Sequence, residues 1–165
     1  MSDDKALLRV GLHIASGLED IPDGLLRELL DSCYRARRKK PACLDLLVTT
    51  DAEMARMNRR HLGRDNPTDV LAFDDGEMED GRVRLGDVAI SADTAKSEAE
   101  RRGISFQHEL AFYALHGLLH LLGMNDDTDE ERSLMHKAQV KAMQEYGIRV
   151  GDDALQIWRK GDADA

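Results

Sequence analysis

Two histidines, His116 and His120, stand four residues apart in an apolar run that Gly123 closes, and Asp126 follows three residues later. An α-helix turns about 100° per residue, so positions four apart lie roughly 40° from one another on the cylinder and both imidazoles can reach one ion. Glycine adopts a left-handed C-terminal turn cheaply, which lets the chain double back and carry Asp126 toward the same ion. Asp127 and Asp129 lie beside it as alternative donors. Three protein ligands leave a fourth position open, and an open position separates catalytic from structural zinc. Leu115, Leu118, Leu119, Leu121 and Leu122 make the helix apolar almost all round, which predicts burial, and buried imidazoles need partners. Zinc is the expected ion, although two imidazoles and a carboxylate also suit nickel, cobalt or manganese.

Zinc peptidases of the His-Glu-x-x-His type place a glutamate after the first histidine as general base. Here that place is Gly117. Peptide hydrolysis needs such a proton shuttle, so proteolysis is disfavoured. Phosphodiester cleavage manages with less, because an ion polarises the phosphoryl group and RNA carries its own 2′-hydroxyl nucleophile. The pattern leans toward nucleic acid chemistry.

Periodicity places these residues on definite elements. Leu7–Ile14 reads as a strand, and a helix opens at Ile21-Pro22-Asp23 with Leu25, Leu26, Leu29, Leu30 and Cys33 at helical spacing. Cys43–Thr50 reads as a second strand. Thr50 or Asp51 caps the next helix, in which Met54 and Met57 are core residues and Asn58 through His61 form the last turn. A turn-rich loop from Gly63 leads into a short strand ending at Phe73, and after an acidic insert Val83–Ser91 is another strand. Ser91 or Asp93 caps a helix running to about Arg102. Ser105–Leu122 is the metal-bearing helix, and a last amphipathic helix from about Asp129 to Tyr146 uses Leu134, Met135, Ala138, Val140 and Met143. His13, His108 and His136 read as surface or packing residues. Without a repeating βαβ unit or an internal repeat, the order points to an α+β fold with one small sheet.

The 165 residues suffice for one domain, expected over residues 1–160, with 161–165 as a disordered tail. No signal peptide and no membrane-length apolar run is found, which predicts a cytoplasmic protein without a membrane partner. Cys33 and Cys43, too few for a disulfide framework, are expected to be reduced and at least partly buried. The net charge of −9 opposes binding to RNA, yet basic residues cluster in Arg35–Lys40 and in Arg56, Arg59, Arg60 and Arg64. If the two clusters share a face, a phosphate-binding surface survives the average. Arg35–Lys40 reads equally well as a helix end whose cations oppose the dipole.

Three segments together, His116–Gly123, Pro67-Thr68-Asp69-Val70-Leu71-Ala72-Phe73 and Leu85–Ser91, resemble in order and spacing the YbeY family of bacterial metal-dependent endoribonucleases. The resemblance runs from about Leu44 to Gly147. It implies an α+β fold related to the metzincin hydrolases, with the metal helix lying under a small, mostly parallel mixed sheet. It also implies single-strand cleavage in ribosomal RNA maturation, notably at the 3′ end of the small-subunit RNA, and a part in ribosome quality control. The implied partners are the ribosomal RNA precursor, the small ribosomal subunit and a ribosome-associated GTPase.

The chain departs from the family pattern at two places. Asp126 stands where the family has a third histidine, and Leu62 where it has an arginine. Carboxylate oxygen is an ordinary zinc donor. The lost guanidinium makes Arg59, Arg60 and Arg64 the candidates for phosphate contact. Asp69 and Asp87 are candidates to orient the ligands from behind, or else to cap strand ends. The expected function is therefore a metal-dependent endoribonuclease using His116, His120 and Asp126. The rival is a ribosome-maturation binding factor whose ion only staples helix to loop.

Overall fold

The computed structural model describes residues 5–62, 70–74 and 76–150. In chain order the elements are β1 (Leu8–Ile14), α1 (Asp23–Arg37), β2 (Ala42–Thr49), α2 (Asp51–Leu62), β3 (Val70–Asp74), β4 (Met78–Glu79), β5 (Arg82–Ser91), α3 (Ala92–Arg102), α4 (Phe106–Leu121) and α5 (Asp129–Glu145). The fold is α+β around a mixed sheet in the order β1-β2-β5-β3. β1, β2 and β5 are parallel, whereas β3 and β4 each pair with β5 in antiparallel fashion. The expected tail, residues 161–165, lies outside the described residues.

Alternation along the strands gives the sheet two unlike faces. Leu8 and Val10 of β1, Leu44, Leu46 and Val48 of β2, and Val88 and Ile90 of β5 join the main core with α1, α4 and α5. Helix α4 lies at the centre of this layer, in contact with β3, β5, α1, α3 and α5. Its Leu110, Leu115, Leu118 and Leu119 are fully buried, each contributing roughly 2 kcal/mol of transfer free energy. The opposite face holds a small cluster of Met54, Leu71 and Ala89, which seats α2.

Local chemistry sets the boundaries. Ser91 Oγ accepts from Thr94 N at 3.1 Å and starts α3, and Ser105 Oγ accepts from His108 N at 3.4 Å and starts α4. Thr128 and Glu131 form a reciprocal capping box at α5. The acidic insert contains an element that periodicity misses. Asp80 and Gly81, with φ of 49° and 77°, turn the chain between β4 and β5, as an Asp-Gly hairpin requires.

The face of α5 also differs from expectation. Leu134 is exposed, while Met135, His136, Gln139, Ala142 and Met143 are buried. An apolar pattern cannot register polar residues that turn inward. His136 packs its ring edge-on to Phe112 with centroids 5.4 Å apart.

Helix α4 approaches the sheet closely at Gly117. A Cβ there would stand 2.3 Å from Val88 Cγ1, on a β-branched side chain with little rotamer freedom. Gly117→Ala is expected to lower stability in urea unfolding, overpacking costing about 1–3 kcal/mol against about 1 kcal/mol gained in helix propensity. In a Val88→Ala background the sign reverses, and Gly117→Ala stabilises.

Candidate metal centre

His116 and His120 project from the last two turns of α4, and Asp126 from the segment between α4 and α5. His116 Nε2 and His120 Nε2 are 3.0 Å apart, and Asp126 Oδ2 lies 3.3 Å from the first and 3.2 Å from the second. Donors held 2.0–2.1 Å from a tetrahedral ion are separated by about 3.3 Å. The triangle therefore has the edge length that a zinc-sized ion needs. Among the described residues this is the one group of three or more His, Cys, Asp or Glu side chains with that convergence. His116 is buried, whereas His120 and Asp126 are each 27 % exposed, so the group opens to solvent on one side.

The turn after α4 delivers Asp126. Gly123, at φ 97°, takes the left-handed conformation; its N–H bonds to His120 O and the Met124 N–H to Leu119 O, both at 3.0 Å. These two bonds form a Schellman motif, with Met124 folded back onto the core. Arg38 Nη2 donates to Leu122 O at 3.0 Å, and Arg132 Nη1 donates to the carbonyls of Asp126 and Asp127 at 3.2 Å each. The loop is thus held by its own hydrogen bonds at both ends.

A family model, "Endoribonuclease YbeY", matches residues 19–147, well over half of the chain. The chain belongs to the YbeY family. An endoribonuclease YbeY of Bacillus velezensis is 41 % identical over 114 residues, covering 64 % of this chain and 73 % of that protein. The YbeY of a Chelativorans species is 36 % identical over 134 residues, covering 79 % and 82 % of the two chains. The solution structure of Thermotoga maritima TM1509 covers 84 % of this chain and 91 % of its own with a TM-score of 0.55; at 22 % identity it speaks for the fold alone.

Within this YbeY chain the other expected site residues fall in different places. Asp87 is not at the metal centre. Val88 faces α4, so its neighbour Asp87 faces the opposite side of the sheet, where its carboxylate pairs with Arg84 at 2.7 Å. A register shift between Cys43 and Leu44 of β2, opposite Arg84 and Gly86, puts Arg84 and Asp87 on one face despite their odd spacing. Arg59 and Arg60 are exposed at the C-terminal end of α2, across the sheet from α4. Arg64, Pro67, Thr68, Asp69 and the side chain of Leu62 lie outside the described residues. Asp127 and Asp129 are exposed, and Asp129 pairs with Arg132.

Among the described residues, the two basic clusters do not share a face, because α1 packs with α4 while α2, with Arg56, Arg59 and Arg60, packs on the other side of the sheet. Arg38 instead donates to Leu122 O at the end of α4, a different helix from the one that carries it. Cys33 and Cys43 are free and buried, and burial pushes the Cys33 thiol up to about 11. The sequence reading missed Arg132 and Gln139. Arg132 carries no signal beyond its place one turn after the cap, but Gln139 lies four residues from Met135 and so falls on the core face.

Electrostatics couple the triangle without an ion. The contacts with the His116 and His120 imidazoles hold the Asp126 carboxyl well below the usual carboxylate range. Burial works against a charged His120, but its hydrogen bond and attraction to Asp126 outweigh this and raise its pKa above 6.5. A raised folded pKa gives stability that is complete below 6.5 and is lost as pH rises through the raised value. Ion binding needs the deprotonated ring, so it strengthens over the same interval. The melting temperature of chelator-treated protein should therefore fall as pH rises from below 6.5 through the raised His120 value, while the increment from added zinc grows.

Proposed function

We propose that this chain is a metal-dependent endoribonuclease that cleaves single-stranded segments of ribosomal RNA precursors. The observation that carries the reading is the convergence of three donors, with edges of 3.0–3.3 Å, on a point open to solvent in a chain of the YbeY family. His116, His120 and Asp126 would hold one zinc ion, whose Lewis acidity would polarise the scissile phosphodiester. The protein's contribution is to fix that position beside β3, an edge strand whose Val70 and Ala72 pack toward the same core as α4.

RNA recognition is assigned to Arg59 and Arg60. They stand on the last turns of α2, which the chain joins to β3, so their guanidiniums can meet phosphates of a strand crossing that edge. Arg64 follows in the same connection and completes the proposed set. We place the activity in the cytoplasm, in small-subunit maturation and ribosome quality control, with the small subunit and a ribosome-associated GTPase as partners. Among the described residues no helix is long and apolar enough to cross a membrane. Residues 1–160 would act as one domain.

Two observations bear on the rival readings. The Asp126 loop is already held by the Schellman bonds, Arg38, Arg132 and the Thr128 box, so an ion is not needed as a staple. At 117 a side chain would meet Val88 of the sheet, so no general base fits the place that peptidases use. Cleavage of a single-stranded ribosomal RNA fragment should need added metal and fall by about 10²–10³-fold in His116→Ala. Arg59→Ala and Arg60→Ala should mainly raise KM and flatten the salt dependence by about 0.7 per lost phosphate contact. Metal-independent cleavage, or loss of folded structure on chelation, would refute the catalytic reading.

A further inference from the structure

Gln139 is a buried polar residue on the core face of α5, 1 % exposed, where helical spacing calls for an apolar side chain. Desolvating an amide is unfavourable unless both of its ends are bonded. Both are. Gln139 Nε2 donates to Phe112 O at 3.0 Å, and Gln139 Oε1 lies 3.4 Å from His116 Nδ1.

The orientation of the amide follows from chemistry. A carbonyl oxygen only accepts, so the group facing Phe112 O must be the NH2, which leaves Oε1 facing His116. Oε1 likewise only accepts, so His116 Nδ1 must carry the proton and Nε2 must carry the lone pair. That lone pair points at His120 Nε2 and Asp126 Oδ2, the other corners of the triangle. Phe112 and His116 are four residues apart on α4, so one amide grips both the backbone and the ring of a single helical turn.

We infer that Gln139 is a positioning residue for the metal centre: it fixes the tautomer and ring plane of His116 from α5. The inference rests on the metal reading above and names the part of α5 that site depends on. Groups that accept from the remote N–H of a ligating histidine typically govern metal affinity by about 10–100-fold. Phe112 O lies inside α4, so the grip couples the seating of α5 on α4 to the aim of His116.

The test compares the unaltered full chain with Gln139→Leu and Gln139→Glu. Zinc affinity is read by competition with a chromogenic chelator, and the His116 Nδ1–H by NMR of the zinc-loaded protein. Gln139→Leu should weaken zinc binding about 10–100-fold and leave Nδ1–H exchanging rapidly, while thermal unfolding of the zinc-free chain stays close to that of the unaltered protein. Gln139→Glu keeps an acceptor for His116 Nδ1–H but loses the donor to Phe112 O, and should keep the protected proton and bind zinc more tightly than Gln139→Leu. If Gln139→Leu does not fold, Gln139→Met, nearer in shape, takes its place. Zinc affinity and Nδ1–H protection that are indifferent to loss of the amide would overturn this inference alone. An unaltered chain that binds no zinc would overturn the metal reading beneath it.

Discussion

Three lone-pair donors cannot share a space about 3 Å across unless something positive stands among them. His116 Nε2, His120 Nε2 and Asp126 Oδ2 are in that situation, and two occupants can relieve it. A proton can sit on His120, which is what its raised pKa and the depressed value of Asp126 express. A divalent cation can replace the proton. On the proposed metal reading, the triangle is a site in which proton and cation would compete, and most of the surrounding structure serves to keep its corners from moving apart.

That service comes from three directions. Helix α4 is pressed against β5 at Gly117, with Val88 filling the space a side chain would take, so the histidine-bearing helix lies close under the sheet. Gly123 reverses the chain, and its Schellman bonds return Met124 to the core so that Asp126 swings back over the helix. Helix α5 closes the third side, tying the loop through Arg132 and the ring of His116 through Gln139. None of these contacts needs the ion. A centre preformed in this way spends little binding free energy on ordering its ligands, which suits a site that must also leave room for substrate.

Much of this was legible in the chain. The i, i+4 histidines, the glycine stop and the following acid announce the triangle because helix geometry leaves them few alternatives. The α4 caps at Ser105 and Gly123 are visible for the same reason, and the alternating strands β1, β2 and β5 follow from the period of two. What escaped depended on non-local pairing or on polar groups that turn inward. Asp87 reads in the linear sequence either as a ligand-orienting acid or as a strand-end residue, and its face is decided by a register shift in the pairing with β2. Leu134 looks like core, and Gln139 goes unmarked, because a hydrophobicity pattern cannot know that a buried imidazole needs an acceptor. The Asp80-Gly81 hairpin is an omission that carried a local signature, namely a residue pair suited to two successive positive φ values.

A crystal structure of the zinc-loaded chain, with the ion placed by its anomalous signal, bears most directly on this account. It should show one ion about 2.0–2.2 Å from His116 Nε2, His120 Nε2 and an Asp126 carboxylate oxygen, with a fourth donor that does not belong to the protein. An ion bound through Nδ1 of either ring, an Asp126 carboxylate turned out to solvent, or a fourth ligand supplied by the chain itself would contradict it.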